Sequence, residues 1–126
     1  MKVYSTLGVG LAFLLMSAFT HAADLTETET VKIKADIKQL VDNYAITRDS
    51  WDAKGHANLF TEQAKLIMNG AVTQGREAIQ KRIEGLNHNG RSLHMMTSSQ
   101  ITIIDKNTAT GIQYVAVYTN TPEQPV

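Results

Sequence analysis

The sequence predicts an α+β fold, and three observations carry that prediction. Apolar residues recur at helical spacing between positions 33 and 44. Two long runs of β-branched and aromatic residues fill the C-terminal third. Between them Asn69-Gly70 marks a tight hairpin and Gly75 opens another helix. Helices first and antiparallel strands later define the class.

Each element has a local reason. Thr26-x-x-Glu29 has the spacing of a capping box at a helix start. Ile33, Ile37, Leu40, Val41 and Tyr44 then form one apolar face, with Lys34, Lys38 and Asp42 on the other side. This helix is expected to end near Thr47-Arg48. Asp49 or Ser50 is expected to cap a short second helix that carries Trp51, Leu59 and Phe60 inward. Gly55 weakens that helix by about 1 kcal/mol relative to alanine. Residues 64–69 read as a short strand, Asn69-Gly70 as its turn, and residues 71–73 as the returning strand. Gly75 starts a third helix with Ile79, Ile83 and Leu86 as its buried stripe. Residues 87–90 form a loop. Two long strands follow, over residues 92–105 and 109–119, joined at Asp105-Lys106-Asn107.

The N-terminus reads as an export signal. Lys2 is the positive start, residues 7–19 are an uncharged apolar run, and Thr20-His21-Ala22 ends in the small residue expected before cleavage. The run is shorter than the roughly 20 apolar residues that span a bilayer. Residues 1–22 are therefore expected to be a cleaved signal peptide, and residues 23–126 one small domain, periplasmic or secreted, with no stable membrane insertion after cleavage. With no cysteine in the chain, such a domain is held by its core and not by disulfides.

Twelve basic and twelve acidic residues balance, and they are interleaved, as in Lys32-Ile33-Lys34-Ala35-Asp36. That pattern argues against nucleic acid or an anionic membrane as partner, because both reward clustered Lys and Arg. No dinucleotide fingerprint, phosphate loop or nucleophile elbow is present. His56 and His88 lack the neighbouring ligands that a zinc site needs, so neither a metal nor a cofactor is expected.

The string Asp49-Ser50-Trp51-Asp52, then Leu59-Phe60, then Gly75-Arg76-Glu77-Ala78-Ile79-Gln80 resembles the SnoaL-like branch of the nuclear transport factor 2-like superfamily. The resemblance covers roughly residues 31–119. It implies a cone-like fold in which about three N-terminal helices pack on a curved, mainly antiparallel β-sheet around a pocket. It does not imply one reaction, because members include isomerases, dehydratases, cyclases, ligand binders and dimerisation modules. Members usually carry a further strand that closes the sheet. Here Tyr118 is followed by only eight residues. The open alternatives are a natural short variant, a strand supplied by a partner, and a truncated reading frame. An unpaired final strand is an association hazard, so a homodimer through the sheet is expected.

The resemblance also implies site residues. A histidine on the strand holding His94 points into the cone in related proteins and can serve as general acid or base. Alternation along that strand groups His94 with Met96, Ser98 and Gln100, and places Leu93, Met95, Thr97 and Ile101 on the opposite face. A carboxylate near the first helix junction can pair with such a histidine, which nominates Asp49. Scytalone-dehydratase-like members place that acid about four residues before the tryptophan, where this chain has Thr47. Asp49 also suits helix capping, and capping is the favoured reading; Asp52 suits the first helical turn. Tyr44 is a candidate hydroxyl donor to a ligand carbonyl. Trp51, Met68, Met96 and Tyr114 are candidates to line the pocket. Arg76 is expected to make a structural ion pair with Glu77 or a nearby acid. The leading expectation is an exported domain that binds a small apolar or cyclic molecule. The alternatives are a metal-independent lyase or isomerase using His94, and an assembly module.

Overall fold

The computed structural model describes residues 25–86 and 90–120. The expected signal segment, the loop with His88 and residues 121–126 lie outside the described residues. Three helices, α1 (Glu27–Asp49), α2 (Ala53–Asn58) and α3 (Arg76–Glu84), accompany two antiparallel hairpins: β1 (Lys65–Met68) with β2 (Ala71–Gln74), and β3 (Arg91–Ile103) with β4 (Ala109–Asn120). The class is α+β as predicted. Among the described residues the strands form two separate two-stranded sheets.

The capping box closes α1: the Thr26 hydroxyl accepts from the Glu29 amide at 3.2 Å, and the Glu29 carboxylate accepts from the Thr26 amide at 3.0 Å. The same carboxylate pairs with Lys106 at 2.8 Å. Lys106 and Thr26 together hold Glu29 down at a pKa of about 2. The turn between β3 and β4 is thereby tied to the start of α1, and α1 packs along β3.

The junction after α1 corrects the capping expectation. The helix runs on to Asp49, and Trp51 then adopts a left-handed backbone conformation (φ 60°). The reversal makes Asp52, not Asp49 or Ser50, the residue before α2, and its carboxylate accepts from the Gly55 amide at 2.8 Å. A Cβ on residue 55 would collide with that carboxylate. Glycine there makes room for the cap, which offsets its helix cost.

Asn69 and Gly70 are both left-handed (φ 51° and 79°), as a two-residue type I′ hairpin requires. Gly75 (φ 91°) turns the chain into α3, and Ile79 and Ile83 are buried against α2. Arg76 is structural, but among the described residues it forms no ion pair with an acid. Its Nε donates to the Phe60 carbonyl at 2.8 Å, while Glu77 pairs with Lys81. Among the described residues the fully buried apolar side chains are Ala57, Ile79 and Ile83, so the tightest packing sits between α2 and α3.

β3 carries a bulge that overturns the simple face assignment. Met96 pairs with Val115 and Ser99 with Gln113, so Thr97 and Ser98 share one partner, Tyr114. Gln113 seals the irregularity, its Nε2 donating to the Tyr114 carbonyl at 2.7 Å. An extra residue shifts the side-chain period by one. Before the bulge Ser92, His94 and Met96 are the half-buried residues; after it they are Ile101 and Ile103. Ser98 and Gln100 therefore leave the His94 face, and Ile101 joins it.

Candidate active site

His94 and Asp49 meet although 45 residues separate them, because α1 is long enough to bring its last residue to the start of β3. His94 Nδ1 lies 2.6 Å from Asp49 Oδ1. The His94 amide donates to Asp49 Oδ2 at 2.8 Å, and the Ser92 hydroxyl donates to Oδ1 at 3.2 Å. Both side chains are mostly enclosed, 13% and 20% exposed. A carboxylate at a helix C-terminus opposes the helix dipole, so helix stability does not explain Asp49; its three donors do. Burial pushes the Asp49 carboxyl up, but the His94 amide, the His94 ring and Ser92 outweigh it and hold it below its ordinary 3.8. Hydrogen bonding to an ionised Asp49 favours the His94 tautomer with its proton on Nδ1, which leaves the Nε2 lone pair free.

Tyr44 lies beside this pair, its ring centroid 6.4 Å from that of His94 in an edge-on arrangement. On its other side, 4.6 Å away, is the ring of His56. Sequence reasoning set His56 aside as a failed metal ligand. It is fully buried, with Nδ1 3.2 Å from the Thr47 hydroxyl and Phe60 at 5.5 Å between ring centroids. The signal was present: Ala53, His56, Ala57 and Phe60 repeat at i, i+3, i+4, i+7, which puts His56 on the inward face. Its Nε2 has no hydrogen-bond partner among the described residues, a condition that costs about 1–3 kcal/mol.

Burial holds His56 below its ordinary 6.5, with the charge of Arg48 and then His94 adding to the effect. The unfolded chain takes up a proton on this residue near pH 6.5 and the folded chain does so only at lower pH. Stability conferred by neutral His56 is therefore complete above 6.5 and declines as pH falls, by at most about 1.4 kcal/mol per pH unit. Asp49 acts in the same sense lower down, its contribution present above 3.8 and lost as pH falls through its depressed value. Urea unfolding at pH 7, 6 and 5 is expected to show the His56 slope, and His56→Leu to flatten it. An equal slope in the variant would contradict the assignment.

A groove of about 890 Å³ runs between α1 and the β3–β4 hairpin, with Ile33, Ile37, Leu40, Val41, Met96 and Ile101 among its lining. The His94–Asp49 pair lies beyond one end of it. Met96, the next residue on the His94 face of β3, connects the two. Of the other nominated lining residues, Trp51 is half-buried with the Arg48 guanidinium 5.0 Å from its ring centre. Met68 sits on the β1–β2 hairpin, 39% exposed, and Tyr114 lies opposite the bulge, 67% exposed. None of the three is among the residues lining the groove. Among the described residues no group of three or more His, Asp or Glu is placed to hold a metal ion, and no helix is long and apolar enough to cross a membrane.

Helices packed on antiparallel strands, with a histidine–carboxylate pair beyond one end of a groove between them, are the parts of a cone-type fold. The chain belongs to the SnoaL-like domain family, which matches over residues 29–125. No curated protein matches the sequence. Among solved structures, a protein of unknown function from Mycobacterium tuberculosis is similar (TM-score 0.70, 24% identity), with 80% of this chain and 60% of that one covered. A putative scytalone dehydratase from Novosphingobium aromaticivorans is similar at TM-score 0.70 and 20% identity, covering 81% of this chain and 69% of that one. A type 2 hexachlorocyclohexane dehydrochlorinase (LinA) is similar at TM-score 0.69 and 17% identity, covering 78% and 68%. At these identities the likeness is one of fold.

Proposed function

We propose that the chain binds a small apolar or cyclic carbonyl compound in the groove and acts on it as a lyase or isomerase, with His94 as the base. The observation that carries this reading is the 2.6 Å contact between His94 Nδ1 and Asp49. With the Nδ1 proton held by Asp49, His94 Nε2 takes a proton from the carbon next to the carbonyl. The C–H electron pair moves into the new double bond, and the Tyr44 hydroxyl donates to the carbonyl oxygen as negative charge develops there. In elimination of water, the β-hydroxyl leaves with a proton returned from His94. In isomerisation the proton returns to another carbon. Asp49 stabilises the imidazolium between these steps.

The test is incubation of the protein in D₂O with a panel of cyclic β-hydroxy ketones and cyclic enones, followed by mass spectrometry. Deuterium incorporation or loss of water above the buffer rate is expected for at least one compound class. A panel in which no compound reacts faster than in buffer would sink the proposal. Ligand binding without turnover is the second reading, and the groove favours it because the His94–Asp49 pair lies beyond its end and not within its lining. It is supported if compounds raise the melting temperature equally in the protein and in His94→Ala. Export with cleavage after Ala22, and a homodimer through the edge of β4 that no strand covers among the described residues, belong to the same proposal. Intact and native mass of protein recovered from a bacterial host reads both. An uncleaved monomer would refute both.

A further inference from the structure

His56 is the buried polar side chain among the described residues, at 0% exposed. A leucine would fill the same place without desolvating a polar group, so the histidine calls for an explanation. Its hydrogen bonding identifies the tautomer. The Thr47 hydroxyl donates its one proton to the Asn43 carbonyl at 2.7 Å. Its oxygen is then the acceptor for His56 Nδ1–H at 3.2 Å. The ring is thus fastened to α1 through Nδ1 and lies tilted against the Tyr44 ring at 4.6 Å and 59°. Tyr44 in turn meets His94 edge-on at 6.4 Å and 77°. Tyr44 stands between two imidazoles, one holding it from within and one facing the groove end.

We infer that His56 is a positioning residue of the site: fastened to Thr47, it fixes the Tyr44 ring against His94 so that hydroxyl and imidazole face one substrate in a set geometry. The inference rests on the acid–base reading of His94 proposed above. Full burial keeps His56 from touching a substrate, so it acts through Tyr44. The groups bearing on it electrostatically are Arg48 and Tyr44 on α1 and His94 on β3. From α3 the buried side chains are Ile79 and Ile83.

The experiment is NMR of protein labelled with ¹⁵N,¹³C-histidine and ¹³C-tyrosine, reading the His94 titration and the Tyr44 ring signals. His56→Leu keeps bulk and removes the donor. His56→Asn keeps an N–H donor at the Nδ1 position. Thr47→Val removes the acceptor and leaves His56 in place. His56→Leu and Thr47→Val are expected to move the His94 midpoint by about half a pH unit and His56→Asn to leave it near that of the unmodified protein, while Thr47→Val, which keeps the imidazole beside Tyr44, is expected to shift the Tyr44 ring signals. A folded His56→Leu with an unchanged His94 midpoint would overturn the inference, as would equal shifts of that midpoint in the Leu and Asn variants. Should His56→Leu fail to fold, unchanged signals in Thr47→Val overturn it equally. The readout needs no substrate, so lack of turnover would count against the proposed reaction alone.

Discussion

His94→Ala is expected to lower turnover of a reactive panel compound about 10²- to 10⁴-fold, the usual contribution of a positioned general base. A base acts in the transition state, so kcat and kcat/KM should fall together while KM changes little. The fold should survive. Asp49 would keep the residue-94 amide and the Ser92 hydroxyl as donors and would not be left as a bare charge. Circular dichroism melts alongside the kinetics separate the two effects. Unchanged turnover in a folded variant would remove His94 from the chemistry.

The largest stability effect is expected from Ile79→Ala, a loss of about 2–5 kcal/mol. Ile79 is 0% exposed and belongs to the small buried set with Ala57 and Ile83. α2 has six residues, too few to be helical on their own, and depends on this contact for its place. Whole domains are stable by only about 5–15 kcal/mol, so urea unfolding of this variant should begin at much lower denaturant. Ile112→Ala, at a position 60% exposed, is expected to change stability by about 0.5 kcal/mol or less. A mild Ile79→Ala beside a severe Ile112→Ala would relocate the core from the α2–α3 contact to the β3–β4 hairpin.

The fold was legible where the signal is local. The Thr26–Glu29 box, the Asn69-Gly70 turn, the Ile79/Ile83 stripe and the two long strands each follow from spacing and turn chemistry, and each appears in the structure. The capping residue was misread because α1 extends past Arg48 and Trp51 takes a left-handed turn. Both features depend on tertiary packing and not on propensity. Strand alternation named the right neighbours of His94 as far as Met96. It failed beyond, because a bulge held by Gln113 leaves no trace in a period-two pattern. Asp49 was nominated by family resemblance but favoured as a cap, since its pairing with His94 spans 45 residues and no local rule reports it. His56 lay on a readable inward face, yet its place behind Tyr44 emerges only once α1 and α2 are packed.

The most direct test of the acid–base account is the tautomer of His94, read from ¹⁵N imidazole shifts at a pH where the ring is neutral. The account predicts the proton on Nδ1, hydrogen-bonded to Asp49, and a free lone pair on Nε2, with the preference lost in Asp49→Asn. A neutral His94 carrying its proton on Nε2, or a tautomer indifferent to Asp49→Asn, would contradict it.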